Sequence, residues 1–162
     1  MTGVVRLEQV SNQAARKLLA TARALGRAER DGHRDQSLRG KNLALDALSP
    51  GPAAALFVAA VEQLGATASQ VADALLTVND PHELQRLAHL LDRLYDAVEC
   101  QGVSAAIVQR LSDIATVPVF GGIACDTHPT ATLASALISD DGAADADARR
   151  WILQAALLIT VA

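Results

Sequence analysis

Residues 96–102, Asp-Ala-Val-Glu-Cys-Gln-Gly, open the stretch that decides the fold, which runs on to His128-Pro129-Thr130-Ala131. The stretch reads as a strand, a helix, a second strand and a loop that leads into another helix. Both strands are mostly apolar, as is typical of parallel strands covered by helices on two faces. Parallel strands end at the same edge of a sheet, and the N-terminus of the last helix arrives at that edge too. The order of elements therefore predicts an anion site at this edge.

Strands and helices alternate along the rest of the chain, so we predict an α/β fold in three layers, with about four parallel strands flanked by helices. No linker, repeat or low-complexity segment is visible, which indicates one domain over residues 1–162. Residues 66–79 are compatible with either a strand or a short helix. Helices are predicted at about 11–29 (with Gly26 weakening the end), 52–64, 80–94, 104–114, 128–139 and 145–161, and strands at 42–45, 97–100 and 117–120.

Composition excludes several classes of function. Aromatic residues make up 2% of the chain, too few for a base-stacking surface, and the net charge is −4 with no basic run, so nucleic-acid binding is not expected. The longest apolar run, residues 151–162, is shorter than the ~20 residues that span a bilayer. The N-terminus shows no signal-peptide pattern, so we expect a cytoplasmic protein without membrane contact.

The potential metal ligands and nucleophiles lack the patterns that chemistry needs. Cys100 and Cys125 are far apart with no zinc-type spacing, which predicts two reduced thiols and no metal site. Cys100 has no base that the sequence places beside it, so it reads as a core residue. We expect no cofactor, and we interpret three further aspartates as solvated and two histidines as surface residues: Asp126, Asp140, Asp141, His82 and His89.

Several segments resemble one enzyme family. Leu38-Arg39-Gly40-Lys41-Asn42-Leu43-Ala44-Leu45 is similar to the first strand of the carbamoyl-phosphate-binding domain of ornithine and aspartate transcarbamylases. Residues 91–98, 117–122 and 127–130, the last reading Thr-His-Pro-Thr, are similar to later passages of that domain, and the ornithine branch is the closer one. The last helix, about 145–161, resembles the family's C-terminal helix. The resemblance implies that the amino-acid-binding domain, which precedes that helix in the family, is absent here.

The resemblance also implies which site residues have changed. The family's Ser-Thr-Arg-Thr-Arg loop aligns with residues 50–54, Pro-Gly-Pro-Ala-Ala, and its lysine loop falls near residues 79–81, where no lysine occurs. Gln101 replaces a family arginine, and Ala131 replaces the glutamine of the His-Pro-Thr-Gln motif. We therefore predict a pseudoenzyme with no catalytic residue. The ligand-binding residues that remain are expected to be His128, Pro129, Thr130, Gln101 and Ser49.

Two functional hypotheses follow from this reading. The first is a non-catalytic protein for oligomerisation, partner binding or regulation, which forms a trimer as the resemblance to the family implies or joins a full-length transcarbamylase. The second is a module that binds a small ligand in the strand-end crevice, with Ala53, Ala54 and Ala55 as an apolar lining. Residual carbamoyltransferase activity is the least expected outcome, since lost charged hydrogen bonds to phosphate are worth roughly 1.5–3 kcal/mol each.

Overall fold

A four-stranded parallel sheet lies at the centre of the fold in the computed structural model, which describes residues 10–47, 51–71, 75 and 77–162. The strand order is β2-β1-β3-β4, and every neighbouring pair is parallel. This arrangement confirms the predicted fold class. The strands are β1 (Asn42–Ala47), β2 (Thr67–Val71), β3 (Ala97–Gln101) and β4 (Val119–Gly121).

Within the described ranges, six α-helices and one 3-10 helix cover the two faces of the sheet. The bounds are α1 (Asn12–Arg30), α2 (Pro52–Gln63), α3 (Pro81–Leu94), α4 (Ala105–Ile114), the 3-10 helix (Pro129–Leu133), α5 (Ala134–Asp141) and α6 (Asp145–Val161). The larger apolar core involves α1, α2, α5 and α6, and a smaller one on the other face involves α3 and α4. Successive strand residues such as Leu43 and Ala44 point to opposite cores, as the two-residue period of a strand requires.

Three predicted helix starts are confirmed by their capping hydrogen bonds. The side chain of Ser11 accepts from the backbone N–H of Ala14, and Ser104 accepts from Ile107 in the same way. Asp80 caps α3 by accepting from His82 N–H, with a proline at the first helical position. Each cap satisfies a backbone donor that has no partner inside the helix, which explains why these boundaries were readable from sequence.

Two segments differ from the prediction. Residues 129–133 form a 3-10 helix before α5 begins at Ala134, so the predicted single helix at 128–139 is divided. Helix α5 extends past the predicted end at residue 139 to include Asp140 and Asp141, which we expected to be solvated, and Arg23 of α1 donates hydrogen bonds to both carboxylates. The helix instead ends at Gly142, whose φ of 66° is the left-handed conformation that favours glycine.

Helix α1 continues to Arg30, so Gly26 does not weaken its end as expected. A Cβ atom at residue 26 would lie 3.0 Å from the indole carbons of Trp151. Glycine is therefore needed here so that α6 can approach α1 closely. The indole N–H also donates to Glu29 over 2.7 Å, which fixes the ring against α1.

The ambiguous region of the sequence begins with β2, which lies at the edge of the sheet. Residues 72–74 and 76 of that region lie outside the described part of the chain. Within the described residues, no helix is long and apolar enough to cross a membrane.

Candidate ligand site at the strand ends

A cleft of about 360 Å³ opens at the carboxyl ends of β3 and β4. The two strands end side by side, because Cys100 pairs with Gly121 in the parallel register. The N-terminal turn of α4 and the loop that follows β4 complete the walls. The described lining consists of Cys100, Gly102, Val103, Ala105, Val108, Gly121, Gly122, Cys125, Thr127, His128 and Pro129.

The loop after β4 turns sharply at Gly122, which has a φ of 71°. A Cβ atom at this position would also lie 3.2 Å from the Cys125 sulfur. Only glycine combines this left-handed backbone with so close a contact. The turn carries the loop back over the strand ends, and it therefore gives the cleft its second wall.

His128 is buried and begins the 3-10 helix. Its Nδ1 accepts from the Thr130 backbone N–H at 3.2 Å and lies 2.8 Å from the Thr130 hydroxyl. Because Nδ1 accepts from a backbone N–H, Nε2 is the ring nitrogen that carries a proton in this hydrogen-bond arrangement. The histidine thus caps its helix while its ring borders the cleft.

Glu99 lies fully buried beneath the loop. The carboxylate accepts from the backbone N–H groups of Ile123 (3.2 Å) and Ala124 (3.4 Å) and from Nε2 of Gln101 (3.2 Å). Burial raises the pKa of Glu99 to about 8, while the three hydrogen bonds oppose that rise. A carboxyl group that titrates near neutral pH therefore supports the loop that forms the cleft.

Both cysteines border the cleft as protonated thiols. Burial raises the pKa of Cys100 far above its usual range. Burial also raises the pKa of Cys125, with the nearby carboxylates of Glu99 and Asp126 adding to the effect and Arg149 opposing it. Since the thiolate is the reactive form, neither side chain is prepared for nucleophilic chemistry.

The charged groups nearest the loop are engaged with each other. Arg149 of α6 forms an ion pair with Asp126 and donates from Nη2 to the carbonyl oxygen of Ala124 over 3.2 Å. Asp140 and Asp141, at the C-terminal end of α5, pair with Arg23 of α1. Within the described part of the chain, no three His, Cys, Asp or Glu side chains converge on a possible metal position.

The structure separates the five residues predicted to form the ligand site. His128 and Pro129 line the cleft, whereas Thr130 is buried behind His128. Gln101 is turned toward Glu99, because the buried carboxylate needs a donor. Ser49 lies outside the described residues. The described lining does not include Ala53, Ala54 or Ala55, which form part of the first turn of α2.

Glu99 and Arg149 were missed by reasoning from sequence. The signal for Glu99 was an acidic residue within a strand whose five residues are all buried. Such a residue requires hydrogen-bond donors, and the loop after the neighbouring strand was the nearest source. No comparable signal identified Arg149, because its contact with residue 124 depends on how α6 packs.

The chain is similar in sequence to one family of enzymes. The family described as aspartate/ornithine carbamoyltransferase, carbamoyl-P binding domain, matches residues 3–139. The ornithine carbamoyltransferase of Haemophilus influenzae (strain PittGG) is 38% identical over 122 residues, which are 74% of this chain and 36% of the relative. The catabolic ornithine carbamoyltransferase of Pseudomonas putida is 34% identical over 136 residues, covering 83% and 40% of the two chains. The chain thus spans well under half the length of these relatives.

Solved structures show the same fold. The ornithine carbamoyltransferase of Burkholderia thailandensis superimposes with a TM-score of 0.71 at 21% identity, covering 88% of this chain and 50% of that one. The Pyrococcus furiosus enzyme gives a TM-score of 0.70 at 24% identity, covering 84% and 44%. The family match ends at residue 139, so the kinship of α6 with a C-terminal helix of the family stays a prediction.

The prediction of a pseudoenzyme is wrong. The relatives that are 34–38% identical to this chain are named as enzymes. Nothing among the described residues demonstrates that the chain has lost that activity. That prediction rested on the changes in two loops, on Gln101 and Ala131, and on the missing amino-acid-binding domain. Residue 50, the first of the changed Pro-Gly-Pro-Ala-Ala loop, lies outside the described part of the chain, and a second protein chain can supply groups that one chain lacks.

Proposed function

Because this chain belongs to the aspartate/ornithine carbamoyltransferase family through its carbamoyl-P binding domain, we propose that it acts by association. Its partners are copies of itself, in a trimer, or a full-length transcarbamylase. The association brings the strand-end cleft together with groups from the partner chain. A regulatory effect on that partner is one consequence of such binding.

The observation that carries this proposal is that the described lining of the cleft has no acidic or basic side chain of the Lys, Arg, Asp or Glu type. A phosphate group is held by charged hydrogen bonds worth roughly 1.5–3 kcal/mol each, usually from arginine or lysine. Apart from the two thiols, the polar side chains of the described lining are those of Thr127 and His128. Arg149, which contacts the loop that borders the cleft, is already paired with Asp126. A site for a phosphate compound therefore needs cations from another chain.

An exposed apolar pair on α3 supports the same proposal. Leu90 and Leu94 are 51% and 54% exposed and lie one helical turn apart. Residues with this spacing share a helix face. The smaller core beneath α3 contains many partly buried apolar residues, including Leu87 and Tyr95. A partner that covers this face would bury apolar area worth about 25 cal/mol per Å².

Size-exclusion chromatography with light scattering tests the association directly. We expect either a trimer of this chain or, after mixing, a complex with the full-length P. putida ornithine carbamoyltransferase. Carbamoyl transfer to ornithine is measured on the same fractions, so that an effect on activity is recorded with the assembly. A strict monomer that also forms no complex with the full-length enzyme overturns the proposal.

Matched variants locate the surface. Leu90→Glu with Leu94→Glu is expected to weaken the association at least tenfold, because two charges replace exposed apolar side chains without disturbing a buried contact. Ile138→Glu is the control, since Ile138 is also exposed but lies on α5 at the other face of the sheet. An equal loss in both variants would exclude α3 as the contact.

The second candidate function is binding of a small uncharged ligand in the cleft. It is supported by the two protonated thiols and by the absence of charged side chains from the described lining. Thermal unfolding in the presence of neutral amides, free amino acids, inorganic phosphate and carbamoyl phosphate tests it. Stabilisation by an uncharged compound and not by the phosphates supports this function, whereas no stabilisation by any compound removes it.

A further inference from the structure

Ala124 is held at both of its backbone polar groups. Its N–H donates to the buried carboxylate of Glu99 over 3.4 Å, and its carbonyl oxygen accepts from Arg149 Nη2 over 3.2 Å. Glu99 belongs to the central sheet and Arg149 to the last helix. The loop that carries Gly122, Cys125 and Thr127 is therefore fixed from below by a strand and from the side by α6.

We infer that Arg149 is a positioning residue, which sets the shape of the strand-end cleft according to how α6 is seated. The inference concerns the cleft wall and holds for any occupant of the cleft. Arg149 lies beside Arg150 in the sequence, and the two side chains contact different parts of the molecule. Arg150 anchors α6 to Glu29 of α1, whereas Arg149 reaches the loop.

The contact with the Ala124 carbonyl, more than the ion pair with Asp126, carries this role. The Asp126 side chain is 84% exposed, whereas that of Arg149 is 21% exposed. An ion pair with so exposed a partner contributes little because water and salt screen it. A guanidinium group that donates to a partly buried carbonyl restrains the backbone itself, since a charged hydrogen bond is stronger than a neutral one.

Movement of α6 consequently alters the cleft. Helix α6 contacts α1, α2, α5 and the 3-10 helix, so a protein that binds any of these elements can shift it. The displaced guanidinium would release the Ala124 carbonyl and remove the hydrogen bond that joins the loop to α6. The cleft wall would then open toward solvent at Cys125.

Hydrogen exchange measured by mass spectrometry on the full chain tests the inference. Arg149→Met removes every donor and is expected to speed exchange in residues 121–128 at least tenfold, relative to the rest of the chain. Arg149→Lys keeps the charge and one donor group, and an intermediate rate is expected. Asp126→Asn removes only the exposed ion pair and is expected to change exchange less than threefold.

Arg23→Met is the matched control. Arg23 joins two elements, as Arg149 does, because it connects α1 to Asp140 and Asp141 of α5, but it makes no contact with residues 121–128 in the hydrogen bonds described. Labelling of Cys125 with N-ethylmaleimide gives a second readout, and faster labelling in Arg149→Met than in Arg23→Met is expected. Unchanged exchange in residues 121–128, or a uniform rise along the chain, would overturn the inference. If Arg149→Met does not fold, unchanged exchange in Arg149→Lys overturns it equally.

Discussion

At the scale of single residues, Glu99 is the most informative position. A carboxyl group without solvent exposure is costly to charge, and the fold compensates with two backbone N–H groups and one amide. The compensation is incomplete, because the pKa still rises to about 8. The sheet consequently contains an acid that is mostly protonated at neutral pH.

Glu99 makes the stability of the protein depend on pH in a definite direction. Its pKa is about 8 when folded and 4.5 as the reference for the unfolded chain, so the native state binds more protons between these values. The contribution of Glu99 is therefore complete below pH 4.5 and is lost as the pH rises through 8. We predict a slope of about −1.4 kcal/mol per pH unit across this range from this group alone.

Glu99→Gln should remove that slope, as urea unfolding at a series of pH values would reveal. The amide keeps an oxygen for Ala124 and Gln101 but presents an N–H to the Ile123 N–H, so the variant loses about 1–3 kcal/mol at pH 5. At pH 8 it becomes the more stable protein, and the two curves cross. Glu62→Gln, at an exposed position on α2, is the control. Parallel curves for Glu99→Gln and the wild type would refute the assignment.

At the scale of elements, sequence reasoning was accurate where the cause is local. Helix caps at Ser11, Asp80 and Ser104 and the apolar strand at residues 97–101 depend on neighbours in the chain, and each was readable. The close approach of Gly26 to Trp151 depends on residues more than 100 positions apart. Neither periodicity nor propensity records such a contact, so the weakening expected at Gly26 was wrong, although the predicted end near residue 29 agrees with the observed end at Arg30.

The candidate site follows the same division. The strand ends and the histidine that begins the 3-10 helix were placed correctly, because strand order and a capping residue determine them. The orientation of Gln101 was not foreseen, since it depends on the carboxylate of Glu99. The role of Arg149 could not be predicted from the sequence, because its contact with Ala124 depends on how the last helix, α6, packs against the rest of the fold.

The seating of α6 depends on Arg150, whose side chain is only 10% exposed. It donates to both carboxylate oxygens of Glu29, to Gln63 of α2 and to Asp147. Arg150→Met is expected to cost about 2 kcal/mol of unfolding free energy at pH 7, less than a fully buried pair because the Glu29 side chain is 45% exposed. Urea unfolding measures this change.

The cost of Arg150→Met should also depend on pH. The hydrogen bonds from Arg150 are the main reason that the pKa of Glu29 lies below its reference value of 4.5. The stability that Glu29 contributes is present above pH 4.5 and is lost as the pH falls through its lowered pKa. The variant and the wild type should therefore converge in acid. Arg23 of α1 is partly exposed and pairs with carboxylates at the helix end of α5. Arg23→Met should therefore cost less than about 1 kcal/mol, and an equal cost at both sites would contradict the assigned role of Arg150.

At the scale of the whole molecule, charge and shape are mismatched for a phosphate ligand. The chain has a net charge of −4, and the described lining of its cleft has no charged side chain, although the fold brings strand ends and a helix start together. Long-range repulsion and missing cations both disfavour a dianion. The isolated chain should therefore gain less than about 1 °C in melting temperature from 10 mM inorganic phosphate.

A single cation at the rim should be enough to change this behaviour. Ala105 is exposed, lines the cleft and lies in the first turn of α4, so Ala105→Arg places a guanidinium beside the helix N-terminus that already favours anions. We expect 10 mM phosphate to raise the melting temperature of this variant by about 2–4 °C, compared with a sodium chloride control of equal ionic strength. Ala106→Arg adds the same charge one residue away, at an exposed position outside the described lining, and should respond like the wild type. A similar response of both variants would mean that net charge decides phosphate binding, and a large response of the wild-type chain would mean that its own groups already suffice.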